Sequence, residues 1–221
     1  PRYGINGYIV VVLLTTGMRI SEILGLKKRH LHLEEQYIEI EKSLCDVRTR
    51  GEKTDKKTVR VESLPKTKSS ARPLPISKQT VYFFQQILAF NPNLKDDDYI
   101  CITKNGNVSS NHTVRSTLKT MLKKCDCSIK KCGPHALRHS YGSFLISEGV
   151  PLIYVSKLLG HSSVAVTEKI YIHLLRKKSL EYVSVFDRLG EKDEKQSVDK
   201  NQAGRDLTVK IHDGQCGKAA V

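Results

Sequence analysis

Pro134-His-Ala-Leu-Arg138 begins a predicted helix that runs to Ser147, and it carries an informative pair of polar side chains. Proline is favoured at the first position of a helix, where its missing N–H leaves no hydrogen bond unmade. His135 and Arg138 are three residues apart and therefore lie on one face of that helix. An imidazole and a guanidinium that point the same way are candidates for binding an anion.

A second stretch, Thr16-Gly-Met-Arg-Ile-Ser-Glu22, places Arg19 between a buried helix and the start of the next one. An arginine there can direct its guanidinium at a phosphate near a helix N-terminus. Arg19 can also pair with Glu22, three residues on. Both interpretations hold together, because a carboxylate that fixes the guanidinium also preorganises it.

Two further positions come late in the chain. His161 follows a helix-ending glycine in Leu158-Leu-Gly-His161, so a short turn can direct it back across the fold. A structural histidine is the alternative there. Tyr171 lies on a predicted helix in a cationic neighbourhood, although a single tyrosine on a helix usually serves packing.

The charge of the chain favours a polyanionic partner. There are 37 Lys and Arg residues against 23 Asp and Glu, for a net charge of +14. Residues 191–221 hold six of each sign, so the excess belongs to residues 1–190. Between Lys42 and Lys78 there are eleven basic and four acidic residues. A lysine-rich loop that only confers solubility is the alternative interpretation.

Hydrophobicity patterns predict a mixed α+β fold that is mostly helical, with a small antiparallel sheet. The apolar run Ile9–Leu14 is too short to span a membrane. Helices are predicted over Ile5–Thr15, Ser21–Leu26, Ser77–Ala89, Asn111–Lys123, Pro134–Ser147, Leu152–Leu159, Val164–Tyr171 and Leu175–Phe186. Strands are predicted over Tyr37–Glu41, Val59–Glu62 and Arg72–Ile76, with Cys45–Thr58 as a long hairpin excursion or mobile loop.

A phosphodiester is the expected substrate of a site with two arginines, two histidines, lysines and a tyrosine. Its transition state spreads charge over non-bridging oxygens, so positioned cations stabilise it. The acidic run Asp96–Asp98 stands alone in a loop-like context, which disfavours a two-metal nuclease. The spacing of Cys125, Cys127, Cys132 and His135 is unusual for structural zinc. We therefore expect no metal and no other cofactor.

In this order and spacing, the motifs resemble the catalytic domain of the tyrosine recombinase, or phage-type integrase, family over about residues 5–175. The motifs are Thr16–Glu22, the run Lys-Thr-Lys-Ser-Ser-Ala-Arg-Pro-Leu-Pro that begins at Lys66, Pro134–Ser140, Leu159–Ser163 and Tyr171. His161 precedes Tyr171 by ten residues, which resembles the spacing of conjugative-transposon integrases.

The resemblance implies a role for each motif residue. Arg19 and Arg138 would bind the phosphate, and Tyr171 would form a 3′-phosphotyrosyl link to DNA. The family's motif histidines fall at His135 and His161, and Glu22 would support the site. The lysine that protonates the 5′-hydroxyl would be Lys66, with Lys68 as its rival. Further DNA contacts are predicted for Lys42, Arg48, Arg50, Lys53, Lys68 and Arg72.

The resemblance also implies partners and a domain plan. Double-stranded DNA, a homotetramer on two duplexes and accessory DNA-bending proteins are expected, with a monomer or weak dimer without DNA. The expected function is integration or excision of a mobile element, in the cytoplasm or on a bacterial nucleoid. Residues 1–190 would form the catalytic domain and 191–221 a flexible or docking tail. The missing initiator Met suggests a piece of a longer protein. A type IB topoisomerase and a non-catalytic DNA-binding protein are the alternatives.

Overall fold

The computed structural model describes residues 2–48, 58–63, 71–125 and 132–175. Contacts within the chain separate a unit Pro1–Ile172 from a unit His173–Val221, of which only the helical residues 173–175 are described. Residues 164–172 of the first unit are also helical and are called α7 here. The helices that precede it are α1 (Gly4–Thr16), α2 (Ile20–Leu24), α3 (Lys78–Ala89), α4 (Asn111–Lys124), α5 (Pro134–Ser147) and α6 (Leu152–Leu159).

Helix α1 forms the centre of the core. Ile9, Val12 and Leu13 are completely buried, as expected for a helix that is apolar nearly all round. The helix packs against α3, α4 and α5. Its end at Gly17, where the backbone N–H donates to Leu13 O at 3.1 Å, brings the following residues to the same side of the molecule as α5 and α6.

The strands form two small antiparallel sheets rather than the single sheet predicted. The first sheet has the order β1 (Leu31–His32), β2 (Tyr37–Ile40) and β5 (Arg72–Pro75). The second pairs β3 (Ser43–Arg48) with β4 (Thr58–Ser63). Ile38 and Ile40 of β2 enter the core together with Leu74 of β5.

Of the two predictions for Cys45–Thr58, a long hairpin excursion or a mobile loop, the hairpin agrees with the described residues, because the chain through Arg48 continues strand β3 and pairs with β4 from Thr58 onward. Polar cross-strand pairs stabilise this ladder where an apolar pattern is missing. Arg60 Nε donates to Asp46 Oδ1 at 3.0 Å, and the hydroxyls of Ser43 and Ser63 lie 2.9 Å apart. Residues 49–57 lie outside the described residues.

The predicted helices are confirmed to within a few residues up to residue 175. Helices α5 and α6 have the predicted bounds, and Ser77 caps α3 by accepting from Thr80 N at 3.2 Å. The predicted helix Leu175–Phe186 and the predicted boundary at residue 190 fall outside the described residues, apart from Leu175. None of the helices in the described ranges is long and apolar enough to cross a membrane.

Candidate active site

Arg19 is held in place by Glu22 at two points. Its backbone N–H donates to Glu22 Oε2 at 2.7 Å, and its Nη1 lies 2.6 Å from Glu22 Oε1. Arg19 is the N-cap of α2, so a residue in the first turn naturally reaches back to it. The carboxylate is buried and the guanidinium is about one-third exposed, with the Glu22 and Arg19 side chains 4% and 34% accessible. The predicted pairing of Arg19 with Glu22 is confirmed.

Arg72 approaches the same carboxylate from β5. Its Nη1 lies 3.4 Å from Glu22 Oε1, and its Nε donates to Leu158 O at 3.1 Å. The side chain is buried, and this burial lowers the pKa of its guanidinium while Glu22 opposes the change. The sequence placed Arg72 with the DNA-contacting residues. The structure places it inside the fold, against the carboxylate that holds Arg19.

A side chain at residue 160 would prevent this arrangement. Gly160 ends α6 with a φ of 65°, in the left-handed region that glycine adopts readily. A Cβ atom there would lie 2.5 Å from Arg72 Nη1. The Gly160 carbonyl also accepts from Arg19 Nη2 at 3.3 Å. Gly160 therefore leaves room for the guanidinium of Arg72, and its carbonyl contacts the guanidinium of Arg19.

Arg138 is also buried, and it joins the ends of two helices. Its Nη1 donates to Gly17 O at 2.8 Å, and its Nη2 donates to Leu159 O. Carbonyls at helix C-termini have no partner within their own helix and carry partial negative charge, so a guanidinium is a suitable donor to them. Burial, followed by the nearby charge of Arg19, lowers the pKa of Arg138 to about 10. It stays charged at neutral pH.

His161 is directed back across the fold, as predicted. Its Nδ1 lies 2.7 Å from the hydroxyl oxygen of Thr167, a completely buried residue of α7. Burial, and then the charges of Arg138 and Arg19, lower the pKa of His161 to about 4. The imidazole is therefore neutral at neutral pH. Thr167 is a site residue that the sequence analysis missed.

His135 lies at the exposed start of α5. Burial lowers its pKa, followed by the charges of Arg115 and Arg138. Arg115 comes from α4 and is oriented by Asn111, whose Oδ1 accepts from its Nε at 2.7 Å. The sequence analysis missed Arg115, because no local pattern indicates that α4 lies beside the start of α5.

Tyr171 lies on α7 and is almost completely buried, with 2% of its surface exposed. Burial raises the pKa of its phenol, while the charge of Arg138 acts in the opposite direction. Its ring meets the ring of His139 edge to face, with centroids 6.2 Å apart. Tyr171 therefore packs against α5, the helix that carries Arg138 and His139.

The remaining predicted residues divide into two groups. Lys42 lies on the surface, with its Nζ 3.0 Å from Glu62 Oε2. The side chain of Arg48, and the whole of Arg50, Lys53, Lys66 and Lys68, fall outside what the structure describes. Within the described ranges no group of three or more His, Cys, Asp or Glu residues is arranged to hold a metal ion. Cys127, part of the cysteine cluster considered above, is outside those ranges.

Together these contacts make a site with an excess of positive charge. Among the described residues, the guanidiniums of Arg19 and Arg72 both contact the carboxylate of Glu22, Arg138 lies nearby as a third positive charge, and His161 beside them is neutral. Fixed donors in a partly dehydrated site stabilise an anion more strongly than the same groups in water. A tyrosine and an anion-binding cluster on one side of a fold define a candidate site for phosphoryl transfer.

The sequence model of the phage integrase family matches residues 5–178, and the chain belongs to this family. A XerC-like tyrosine recombinase of Caldanaerobacter subterraneus is 31% identical over 185 residues, which is 79% of this chain and 47% of that protein. The transposase of transposon Tn916 from Enterococcus faecalis is 25% identical over 181 residues, or 77% and 43%. The chain thus spans about half the length of the curated relatives it matches.

Solved structures agree with the fold. The Tn1549 transposon integrase in complex with transposon right end DNA has a TM-score of 0.61 at 24% identity, covering 74% of this chain and 53% of that one. The XerH recombinase bound to a palindromic difH substrate has a TM-score of 0.56 at 20% identity, covering 82% and 46%. The predicted family and its mostly helical α+β fold are confirmed.

Proposed function

We propose that this chain is the catalytic part of a site-specific DNA recombinase that integrates or excises a mobile element. The observation that supports the proposal is that Arg19 and Tyr171 both lie close enough to Arg138 to act on its charge. Each comes from a different region of the sequence, and packing alone does not require two arginines beside a tyrosine. The family to which the chain belongs consists of enzymes that break and rejoin DNA.

In the proposed reaction Tyr171 attacks a DNA phosphodiester. A bond forms between its phenolic oxygen and phosphorus, and the bond from phosphorus to the 5′-oxygen breaks. The phenol gives its proton to the neutral imidazole of His161, and the 5′-oxygen gains one from Lys66, or from Lys68. The reverse steps, with a 5′-hydroxyl from another strand, rejoin the DNA. The phosphotyrosyl bond conserves the energy of the phosphodiester, so no nucleotide cofactor is required.

Arg19 and Arg138 would bind the non-bridging oxygens of the scissile phosphate. Their positions support this role, because Glu22 fixes one guanidinium and the carbonyls of Gly17 and Leu159 fix the other. Donors that are fixed before the reaction need no reorganisation during it. The accessible third of the Arg19 side chain gives an approaching phosphate a point of contact.

His161 and His135 would have different roles. His161 is neutral near pH 7 and tied to Thr167, so its Nε2 can exchange a hydrogen bond with the phosphate or with the phenol. His135 is exposed beside Arg115 and would contact the DNA backbone. Glu22 would act as a positioning residue through Arg19.

The proposed substrate is double-stranded DNA, and the proposed working assembly is a homotetramer on two duplexes with accessory DNA-bending proteins. The net charge of +14 supports a polyanionic partner. The Tn1549 integrase and the XerH recombinase were both determined with DNA bound. Lys42, Arg48, Arg50 and Lys53 remain candidates for contacts with the DNA backbone.

A non-catalytic DNA-binding protein is the second candidate, and the near-complete burial of Tyr171 favours it. The two functions are separated with duplexes from the element's ends that carry a nick near the cleavage position, so that a cut strand diffuses away. Recombinase function predicts a covalent, protease-sensitive DNA adduct with the natural chain and none with Tyr171→Phe. Equal salt-sensitive binding by both chains, without an adduct from either, would indicate the binding protein.

A further inference from the structure

The carbonyls at the C-terminal end of α6 find their hydrogen-bond donors in two ways. The backbone N–H of Gly160 donates to Lys157 O at 3.0 Å, and that of His161 donates to Ser156 O at 3.1 Å. These are the hydrogen bonds of a helix that ends in a left-handed residue. The next three carbonyls along the chain accept from arginine side chains instead.

Each of these three carbonyls binds a different arginine. The pairs are Arg72 Nε with Leu158 O at 3.1 Å, Arg138 Nη2 with Leu159 O, and Arg19 Nη2 with Gly160 O at 3.3 Å. Carbonyls at a helix C-terminus carry partial negative charge, so guanidiniums are suitable donors to them. The end of α6 therefore brings side chains from β5, from α5 and from the start of α2 to one place.

Glu22 and Gly160 hold the guanidinium of Arg19, and Arg72 contacts both of them. Glu22 Oε1 lies 2.6 Å from Arg19 Nη1 and 3.4 Å from Arg72 Nη1. A Cβ atom on Gly160 would lie 2.5 Å from Nη1, 2.7 Å from Cζ and 3.0 Å from Nε of Arg72. The guanidinium of Arg72 therefore lies against the backbone of Gly160, in the space that a side chain would take.

Arg72 itself is enclosed by the protein. Its side chain is 8% accessible, compared with 34% for that of Arg19. Its Nε donates to Leu158 O and its Nη1 contacts Glu22, so one rigid group joins the end of α6 to the carboxylate. Arg72 thereby fixes the distance between the two groups that orient Arg19.

We propose that Arg72 is a positioning residue for Arg19, which keeps Glu22 and the Gly160 carbonyl in the places that direct Arg19 at the scissile phosphate. This inference rests on the proposed function, in which Arg19 binds that phosphate. A transition state is stabilised by donors that are fixed beforehand, and a misplacement of about 1 Å can cost about 100-fold in rate. Replacement of Arg72 should therefore slow the reaction more than it weakens DNA binding.

The test uses Arg72→Lys in the chain as it exists. Lysine keeps the positive charge beside Glu22, but a single ammonium group does not reproduce both contacts of the guanidinium. The matched control is Arg60→Lys, because Arg60 also donates to one carboxylate, that of Asp46 at 3.0 Å, and to one carbonyl, that of Val108 at 2.8 Å. Neither partner of Arg60 is a residue of the candidate active site.

The first readout needs no DNA. The folded proteins are treated with phenylglyoxal, which modifies accessible guanidiniums, and the modification of each arginine is followed by mass spectrometry. Arg29, in a surface pair with Asp97, is the internal reference. Because local release from its partners exposes Arg19, we expect it to react at least about threefold faster in Arg72→Lys than in the natural chain or in Arg60→Lys. Unchanged reactivity of Arg19 would overturn the proposal, and so would an equal increase at Arg29, which would show a general loosening of the fold.

The second readout is the rate of adduct formation on the nicked duplex at saturating DNA. We expect this rate to be at least about tenfold slower in Arg72→Lys than in the natural chain, with the affinity for uncleaved DNA weakened less than about threefold. The rate in Arg60→Lys should match that of the natural chain. Equal rates in all three chains would overturn the proposal. A slower adduct with unchanged Arg19 reactivity would also overturn it, because Arg72 would then act on the phosphate directly.

Two outcomes need separate treatment. If circular dichroism shows that Arg72→Lys does not fold, Arg72→Gln takes its place with the same expectations, and failure of both variants to fold would assign Arg72 to the fold alone and overturn the proposal. If no chain forms an adduct although Arg19 reacts faster in Arg72→Lys, the positioning of Arg19 by Arg72 is supported and the proposed function fails.

Discussion

Arg19 and Glu22 bind each other at both ends of the arginine, through the backbone N–H at 2.7 Å and through Nη1 at 2.6 Å. The first contact is the backbone half of a helix capping box, and the second fixes the direction of the guanidinium. The carboxylate of Glu22 therefore caps the N-terminus of α2 and also orients the guanidinium of Arg19, the proposed phosphate-binding group. Because Arg72 approaches the same oxygen, Glu22 is the counter-charge of two arginines.

Replacement of Glu22 by glutamine should destabilise the fold strongly. The variant keeps the shape of the side chain but leaves the buried guanidinium of Arg72 without its carboxylate, a change that typically costs about 3–5 kcal/mol. We expect a loss of this order in the free energy of unfolding, measured by urea denaturation. Asp97→Asn, which breaks an exposed surface pair with Arg29, should cost less than about 1 kcal/mol. Equal losses would contradict the buried role of Glu22.

A lysine at position 138 should not support the reaction as Arg138 does. The guanidinium reaches the carbonyls of Gly17 and Leu159 with two separate nitrogens, whereas an ammonium group is a single point of charge. For Arg138→Lys we expect about a 100-fold slower adduct formation, the typical effect of one lost transition-state donor. Binding of uncleaved DNA should weaken less than tenfold. The control is Arg29→Lys, in a surface pair with Asp97, and a comparable loss there would contradict the assignment.

Acid should destabilise the protein through His161. Its pKa is about 4 in the folded chain, below the ordinary value of 6.5, because of burial and the nearby charges of Arg138, Arg19, Arg72 and His139. The unfolded chain therefore binds more protons between these values, so stability is full above pH 6.5 and falls as the pH drops toward 4.

The corresponding measurement is the free energy of unfolding at several pH values between 7 and 4.5, a range set by these two pKa values. His161→Gln should flatten the decline without removing it, since burial also lowers the pKa of His30 and His135. A slope unchanged by His161→Gln would show that this histidine does not carry the effect.

The choice between Lys66 and Lys68 can be made by chemistry at the leaving group. General acid catalysis typically contributes a factor of about 10²–10⁴, so Lys66→Ala should slow adduct formation on an ordinary duplex by at least about 100-fold. A duplex with sulfur in place of the bridging 5′-oxygen releases a thiolate, because thiols have a pKa near 8.5 and need no proton donor. The sulfur-containing duplex should therefore restore the rate of adduct formation by Lys66→Ala. Restoration in Lys68→Ala instead would assign the acid to Lys68.

Local relationships in this fold were predictable from sequence. The helix bounds of α5 and α6, the turn at Gly160, and the pairing of Arg19 with Glu22 depend on residues within a few positions of one another. Capping residues, helical periodicity and chain-breaking glycines determine these features. Strand β4 was predicted from the alternation over Val59–Glu62, whereas β3 was not, because polar pairs such as Asp46 with Arg60 stabilise it in place of an apolar alternation.

Long-range relationships were not predictable in the same way. Arg138 donates to Gly17 O across 121 positions of the chain, and Arg72 meets Glu22 across 50. The sequence marked Arg72 only as one of many basic residues, and nothing local distinguishes a buried arginine from an exposed one. The contact of Thr167 with His161 was not predictable from the sequence either, because it depends on where the turn after α6 places His161.

The most direct test of the central claim is to digest the covalent adduct from the nicked duplex with trypsin and identify the modified residue and the DNA end. The account predicts one modified peptide, carrying Tyr171 joined to a 3′-phosphate, with a free 5′-hydroxyl on the released strand. An adduct on another residue, or a linkage to the 5′ end of the strand, would contradict it.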